Sequence, residues 1–174
     1  MAWLPGAAAD AQAPLRVSSP DGRNVVSVLV RDGGVFYSVS RKGRPIVLPS
    51  RLGFTFRGAP SLRDGLRIAG SATSSHDETW TQPWGEVARV RDHHNELKVT
   101  LEEAQAPGRR FVVAVRAFDD GVAFRYELPR QEALGSFTIM EELTEFSMAD
   151  DARAWWIPSF RPNRYEYLYR ASPV

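Results

Sequence analysis

Two glutamates flank two tryptophans in the segment Asp77–Glu86, where Glu78 and Glu86 lie on either side of Trp80 and Trp84. Paired carboxylates can cleave a glycosidic bond, one as the proton donor and the other as base or nucleophile, and aromatic rings can stack on sugars. The same pattern fits tryptophans that fill a core or line a domain junction while both acids face water, because acidic side chains are usually exposed. We favour this second interpretation.

Two further groups of residues have catalytic or metal-binding side chains without the pattern that such sites need. His93 and His94 are neighbours, and neighbouring residues of a strand point to opposite faces, while His76 is distant in sequence. A zinc site is therefore not predicted. The segment Ser74–Asp77 contains the residue types of a hydrolytic triad, but no Gly-x-Ser-x-Gly elbow surrounds it. We predict that this segment is a turn.

Composition indicates one soluble, folded domain. The chain has 174 residues, of which 43% are hydrophobic and 25% charged, which is ordinary for a globular protein. A net charge of +1 gives no field that would concentrate a polyanion, so nucleic acid is not an expected partner. The sequence has no apolar run of the roughly 18 residues that a membrane helix needs, and no membrane span is expected.

The first 16 residues differ in character from the rest of the chain. They include the run Ala7–Ala9 with further alanines at positions 11 and 13, which fits the end of a secretory signal with small residues before its cleavage site. A disordered terminus is an equally good interpretation. The sequence contains no cysteine, which permits an oxidising compartment.

From Asn24 onward, short runs rich in Val, Phe, Tyr and Thr alternate with Gly, Pro, Asp and Asn, which is typical of an all-β protein. Predicted strands cover Asn24–Arg31, Val35–Ser40, Glu96–Leu101, Phe111–Phe118, Ser136–Glu142, Thr144–Met148 and Trp155–Pro158. An Asp-Gly turn at Asp120–Gly121 strongly predicts a hairpin between Phe118 and Tyr126. These strands predict two antiparallel sheets packed face to face in a β-sandwich, which we expect to be incomplete at its C-terminal end.

Several longer motifs are too specific to be explained by a generic sandwich. In chain order they are Asp77–Glu86, Arg91–Leu97, Arg116–Tyr126, Glu141–Phe146, Trp156–Pro158 and Tyr165–Tyr169. In this order and spacing, the chain resembles the N-terminal domain of glycoside hydrolase family 97, which includes an α-glucosidase of Bacteroides starch utilisation. The resemblance runs from about Val17 to about Tyr169.

The resemblance implies a β-super-sandwich over residues 17–174, followed in the same polypeptide by a (β/α)8 catalytic barrel and a small β domain that are absent here. In that family the catalytic carboxylates lie on the barrel, so no residue of this chain is expected to be catalytic. The resemblance also implies that the parent enzyme is a bacterial periplasmic or secreted α-glucosidase or α-galactosidase that hydrolyses oligosaccharides.

One residue of this chain does match a functional position of the family. A glutamate near the end of the family's sandwich ligates a calcium ion beside the catalytic carboxylates, and Glu166 is the matching residue here. A carboxylate from a neighbouring domain can complete the six to eight oxygens that calcium prefers. Without the resemblance, Glu166 would be interpreted as a surface glutamate between two tyrosines.

Two other classes of function remain open on the residues alone. A stand-alone carbohydrate-binding module could use Trp80, Trp84, Trp155 and Trp156 as stacking platforms. A purely structural interaction domain would instead bind a protein partner.

Overall fold

The computed structural model describes residues 13–158 and 167–174, and the described part of the chain contains strands, turns and loops but no helix. Its strands are β1 (Leu15–Ser18), β2 (Asn24–Arg31), β3 (Gly34–Arg41), β4 (Arg44–Leu52), β5 (Phe54–Phe56), β6 (Ala59–Leu62), β7 (Leu66–Thr81), β8 (Arg89–Glu103), β9 (Arg110–Phe118), β10 (Val122–Glu127), β11 (Ile139–Glu142), β12 (Arg153–Trp156) and β13 (Arg170–Pro173). The all-β prediction is confirmed.

Two four-stranded antiparallel sheets form the sandwich, one in the order β1-β2-β3-β4 and the other in the order β10-β9-β8-β7. A three-stranded sheet, β11-β5-β6, and the pair β12-β13 complete the described topology. Strand β1 of the first sheet contacts β8 and β9 of the second, and β2 contacts β9 and β7. The predicted face-to-face arrangement of two antiparallel sheets is therefore present.

The core lies between the sheets and is formed by alternate residues of each strand. In β2, Val26 and Val28 are buried while Ser27 between them is partly exposed. In β9, Phe111, Val113 and Val115 are buried in the core, and Ala114 between them is buried as well. Among the described residues, the buried cluster is Val17, Val26, Val28, Val35, Tyr37, Val39, Leu52, Phe54, Phe56, Leu62, Leu66, Leu97, Val99, Leu101, Phe111, Val113, Val115 and Ala117.

Tight turns connect the strands of the first sheet. Asp32 and Gly33 both have positive φ, 52° and 74°, as a two-residue type I′ turn requires. A Cβ on Gly33 would lie 2.7 Å from the backbone nitrogen of Gly65, so this position also needs glycine for space. The predicted hairpin around Asp120 and Gly121 is confirmed, since β9 pairs with β10 from Ala117 and Val122 onward.

The structure corrects some predicted strands. Residues Thr144–Met148 do not form a strand of their own, although they lie beside β4. Glu145 N–H donates to the carbonyl of Arg51 at 2.9 Å, and Leu48 N–H donates to the carbonyl of Ser147 at 2.8 Å. The prediction of a strand from Ser136 is also too long, because β11 begins at Ile139. At the other end of the chain, β1 begins at Leu15, two residues before the domain boundary expected at Val17.

Candidate functional site

The longest hairpin of the sandwich extends beyond its sheet. Strand β9 pairs with β8 only as far as His94, opposite Phe118, whereas β7 continues to pair with β8 as far as Thr81 and Arg89. Residues 77–93, which we call the β7–β8 arm, thus form a two-stranded ribbon and its connecting loop. The prediction of a turn at Ser74–Asp77 is wrong, because these residues are in the middle of β7. The segment contains no Gly or Pro, and each of its residues pairs with β8.

The arm is ordered by its own contacts. Arg91 donates from Nε and Nη2 to the two carboxylate oxygens of Asp77, both at 2.7 Å. This hydrogen bonding lowers the pKa of Asp77 and raises that of Arg91. In the loop, Gln82 N–H donates to the carbonyl of Ala88 at 3.0 Å, and its side-chain amide donates to that of Val87 at 2.6 Å. Gln82 therefore connects the two sides of the loop.

The acids and tryptophans of the predicted motif all lie on the arm. Glu78 and Glu86 are exposed, as the second interpretation of this motif expects. Trp84 is 82% exposed and Trp80 is 47% exposed, so neither ring fills the core of the described sandwich. Of the roles considered for these tryptophans, a domain junction and a sugar platform remain.

The fold brings together two histidines that are distant in sequence. His76 of β7 is the direct partner of His94 in β8, and their ring centroids are 5.2 Å apart. His94 is 3% exposed, and its Nδ1 lies 2.5 Å from the Asp92 carboxylate. His93 is on the opposite face of the strand, as predicted from alternation. Within residues 13–158 and 167–174, no group of three or more His, Cys, Asp or Glu residues is placed to hold a metal ion.

Next to the histidines, an ion pair separates two depressions on the outer face of the second sheet. Arg116 Nε donates to Glu96 at 2.8 Å, and this pair lines both depressions. Ala114 and Ala123 line one of them, and their small side chains leave it open. The sequence pattern does not indicate this polar face, because the paired residues belong to different strands.

Besides these two depressions, the sandwich has a groove lined by aromatic residues that include Phe124, Tyr126 and Phe146. Thr144 of the predicted Glu141–Phe146 motif also lines it. It has a volume of about 570 Å³. The Tyr126 hydroxyl lies 2.7 Å from Oγ1 of Thr144. Burial raises the pKa of Tyr126 to about 12, although the hydrogen bond with Thr144 opposes this.

We expect Tyr126 to give a titration step near pH 12 in the ultraviolet absorbance of the folded chain, and the variant Tyr126→Phe to lack it. Because the folded-state pKa is raised above the ordinary value of 10.0, the stability that neutral Tyr126 contributes is complete below pH 10 and is lost as the pH rises through about 12. Unfolding measured in parallel from pH 9 to 12 checks the sign. Ionisation of every tyrosine near pH 10 in the folded chain would contradict the assignment.

At the C-terminal end, β12 pairs with β13 and carries two exposed tryptophans. Trp155 is 67% exposed. The indole N–H of Trp156 lies 3.3 Å from Oγ of Ser172, and the guanidinium carbon of Arg170 is 5.6 Å from the Trp156 ring. Glu166, the predicted calcium ligand, lies outside the described residues.

The sequence model of the family "Glycosyl-hydrolase 97 N-terminal" matches residues 17–174. The chain belongs to this family, and the resemblance drawn from its motifs is confirmed.

Its relatives are longer enzymes that act on sugars. The chain is 36% identical over 143 residues to a probable retaining alpha-galactosidase of Streptomyces bingchenggensis, an alignment that covers 82% of this chain and 21% of that protein. A glycoside hydrolase family 97 enzyme from Pseudoalteromonas sp. strain K8, solved with panose, has a TM-score of 0.85 and 39% identity over 91% of this chain and 24% of that one. The crystal structure of a beta-arabinopyranosidase matches this chain with a TM-score of 0.72 and 29% identity. That match covers 82% of this chain and 22% of the arabinopyranosidase chain.

The chain therefore spans about a fifth to a quarter of the length of these relatives. Among the described residues, no helix is both long and apolar enough to cross a membrane.

Proposed function

We propose that this chain is the non-catalytic N-terminal domain of a calcium-dependent α-glycosidase, and that it packs on a catalytic (β/α)8 barrel of the same polypeptide. The observation that carries the proposal is the family match over residues 17–174, supported by the similarity to an enzyme solved with panose. The substrate is an oligosaccharide with α-linked glucose or galactose.

The residues present fit calcium only as part of a shared site. The described residues contain no cluster that could bind a metal alone, and calcium needs six to eight oxygens. Glu166 would supply one carboxylate, and the other ligands would come from the barrel. In a site divided in this way, the ion would join two domains.

The role of this chain in the reaction is to bind the calcium ion through Glu166 and to position it at the barrel. Glycoside hydrolysis requires a proton donor and a second carboxylate, and we place both on the barrel. When bound, calcium would orient water and lower the pKa of nearby carboxyl groups. Glu166 would hold the ion, and the sandwich would hold Glu166 against the barrel.

The proposal predicts that a chelator and the substitution Glu166→Ala each lower the hydrolysis of an aryl α-glycoside by the full polypeptide. Substitution of residues that only support the ligands of a metal site typically costs about 10–100-fold in affinity or activity. For loss of a direct ligand we therefore expect activity to fall by at least about tenfold. Atomic emission should show that the Glu166→Ala variant retains less calcium after gel filtration.

The control is Glu132→Ala, which removes an exposed glutamate and should leave calcium content and activity unchanged. Activity and calcium content that are indifferent to both treatments would overturn the calcium role. Assays with aryl α-glucoside and aryl α-galactoside in parallel decide between the two substrates, and fractionation of the producing bacterium tests the proposed periplasmic or secreted location.

The exposure of Trp155 favours a carbohydrate-binding module as the second candidate function, because an indole that faces solvent can stack on a sugar ring. Calorimetry with maltooligosaccharides would show saturable binding that Trp155→Ala abolishes. If no heat of binding is seen, the module is excluded and the domain role remains.

A further inference from the structure

The β7–β8 arm carries three large apolar side chains that are exposed to solvent at the end of a polar ribbon. Trp84 and Val87 are both more than half exposed, and nearly half of Trp80 is exposed. Single exposed apolar residues are normal on a protein surface, but Trp84 and Val87 in one loop, with Trp80 close by at the end of β7, form a group that marks an interaction site. Tryptophan is also among the residues that contribute most to binding energy in protein interfaces.

The arm lacks the support that the rest of the sandwich has. Between Asp77 and His93 only β7 and β8 pair, because β9 ends at Phe118, opposite His94. A two-stranded ribbon is marginally stable in water and normally needs a third strand or a packed face. Both strands nevertheless keep their register to the tip, which suits a ribbon that packs against another structure.

The loop at the tip is pre-formed, which reduces the entropic cost of binding. Gly85 has a φ of 109°, in the region that favours glycine. A Cβ at this position would lie 2.9 Å from the side-chain nitrogen of Gln82. That same nitrogen donates to the carbonyl of Val87. The Gln82 side chain thus contacts the loop backbone at both Gly85 and Val87.

We infer that the β7–β8 arm is a docking element and that Trp80, Trp84 and Val87 pack against the part of the same polypeptide that follows residue 174. This inference rests on the proposed function, since it needs the longer polypeptide. Because the chain spans only 24% of the family 97 enzyme that it matches, most of such a polypeptide lies beyond the sandwich. A tethered segment has an effective concentration in the millimolar range. It therefore binds the exposed apolar tip in preference to a separate protein that is present at lower concentration.

The inference predicts that Trp84 is protected in the intact enzyme. Hydroxyl-radical oxidation followed by mass spectrometry measures this on the full polypeptide, without added sugar and at several protein concentrations. We expect Trp84 to be oxidised at least about tenfold more slowly in the native protein than in the same protein in urea. A native rate close to the rate in urea would show that the arm stands free in solvent, and would overturn the inference.

Two other outcomes would also overturn it. Protection that appears only after maltotriose is added would identify the tip as a sugar platform, and protection that is lost on dilution would identify a second copy as the occupant. Substitution supplies an independent test: Trp84→Ser should lower the thermal midpoint of the full polypeptide by at least about 2 °C, whereas Trp84→Phe should largely preserve it. An unchanged midpoint for Trp84→Ser would contradict docking.

This test is separable from that of the calcium role. If Trp84 is protected but chelation and Glu166→Ala have no effect, the docking inference stands and the calcium proposal fails. If calcium dependence holds while Trp84 is oxidised freely, the docking inference alone fails.

Discussion

Replacing Phe111 by alanine should lower the free energy of unfolding of the chain by about 3–5 kcal/mol, the usual cost of removing a buried phenylalanine side chain. Phe111 is fully buried, with 0% exposure, at the start of β9. Its ring is 6.1 Å from that of Phe54, centroid to centroid, in an edge-on arrangement. Loss of the ring leaves a cavity where β9 meets the third sheet, because neighbouring strands can close only part of it.

Urea unfolding followed by circular dichroism measures this loss. The matched control is Phe146→Ala, since Phe146 is largely exposed and should give a clearly smaller change. If Phe111→Ala does not fold, Phe111→Leu keeps the prediction testable with a smaller loss. Equal losses for Phe111→Ala and Phe146→Ala would mean that the core does not lie between these sheets.

The variant Arg109→Ala should also cost about 3–5 kcal/mol, because it removes one partner of a buried ion pair. Arg109 is 3% exposed; its Nε donates to Glu103 at 2.8 Å, and its Nη1 donates to the carbonyl of Pro60, also at 2.8 Å. Without the guanidinium, the Glu103 carboxylate and the Pro60 carbonyl lose a donor in a site that water reaches poorly. Thermal unfolding of the variant and the parent chain at neutral pH measures the cost.

The control for Arg109 is Arg67→Ala. Arg67 also pairs with a glutamate, Glu102, but the Arg67 side chain is 58% exposed, and Glu102 keeps Arg110 as a partner at 2.8 Å. We therefore expect a loss of about 0–1 kcal/mol, as for exposed ion pairs. A double variant, Arg109→Leu with Glu103→Leu, should recover much of the loss because it leaves no buried charge without a partner. If Arg109→Ala costs no more than Arg67→Ala, the buried pair does not contribute as we describe.

The ion pair between Arg109 and Glu103 also makes the stability of the chain depend on pH. The hydrogen bonds from Arg109 hold the pKa of Glu103 below its ordinary value of 4.5. The stability from this pair is therefore complete above pH 4.5 and is lost as the pH falls through the lowered folded-state pKa. We expect the difference in stability between the parent chain and Arg109→Ala to narrow as the pH falls below 4.5.

The family and the fold class could be predicted from the sequence because their signals are local. Alternating apolar residues in β2 and β9, and turn residues such as Asp120 and Gly121, predict strands and hairpins wherever they occur, since side chains alternate along any strand. The family motifs are likewise read in chain order. Glu166 remains a prediction of that kind, because it lies outside the described residues.

Which strands pair, and in what register, could be established only from the folded chain. Ser74–Asp77 was predicted as a turn from its residue types, but pairing with β8 makes it the centre of a strand. The same register places His76 beside His94, and it carries Trp80 and Trp84 beyond the end of β9. Register depends on contacts between segments far apart in sequence, so no local pattern could show that these residues form an exposed arm.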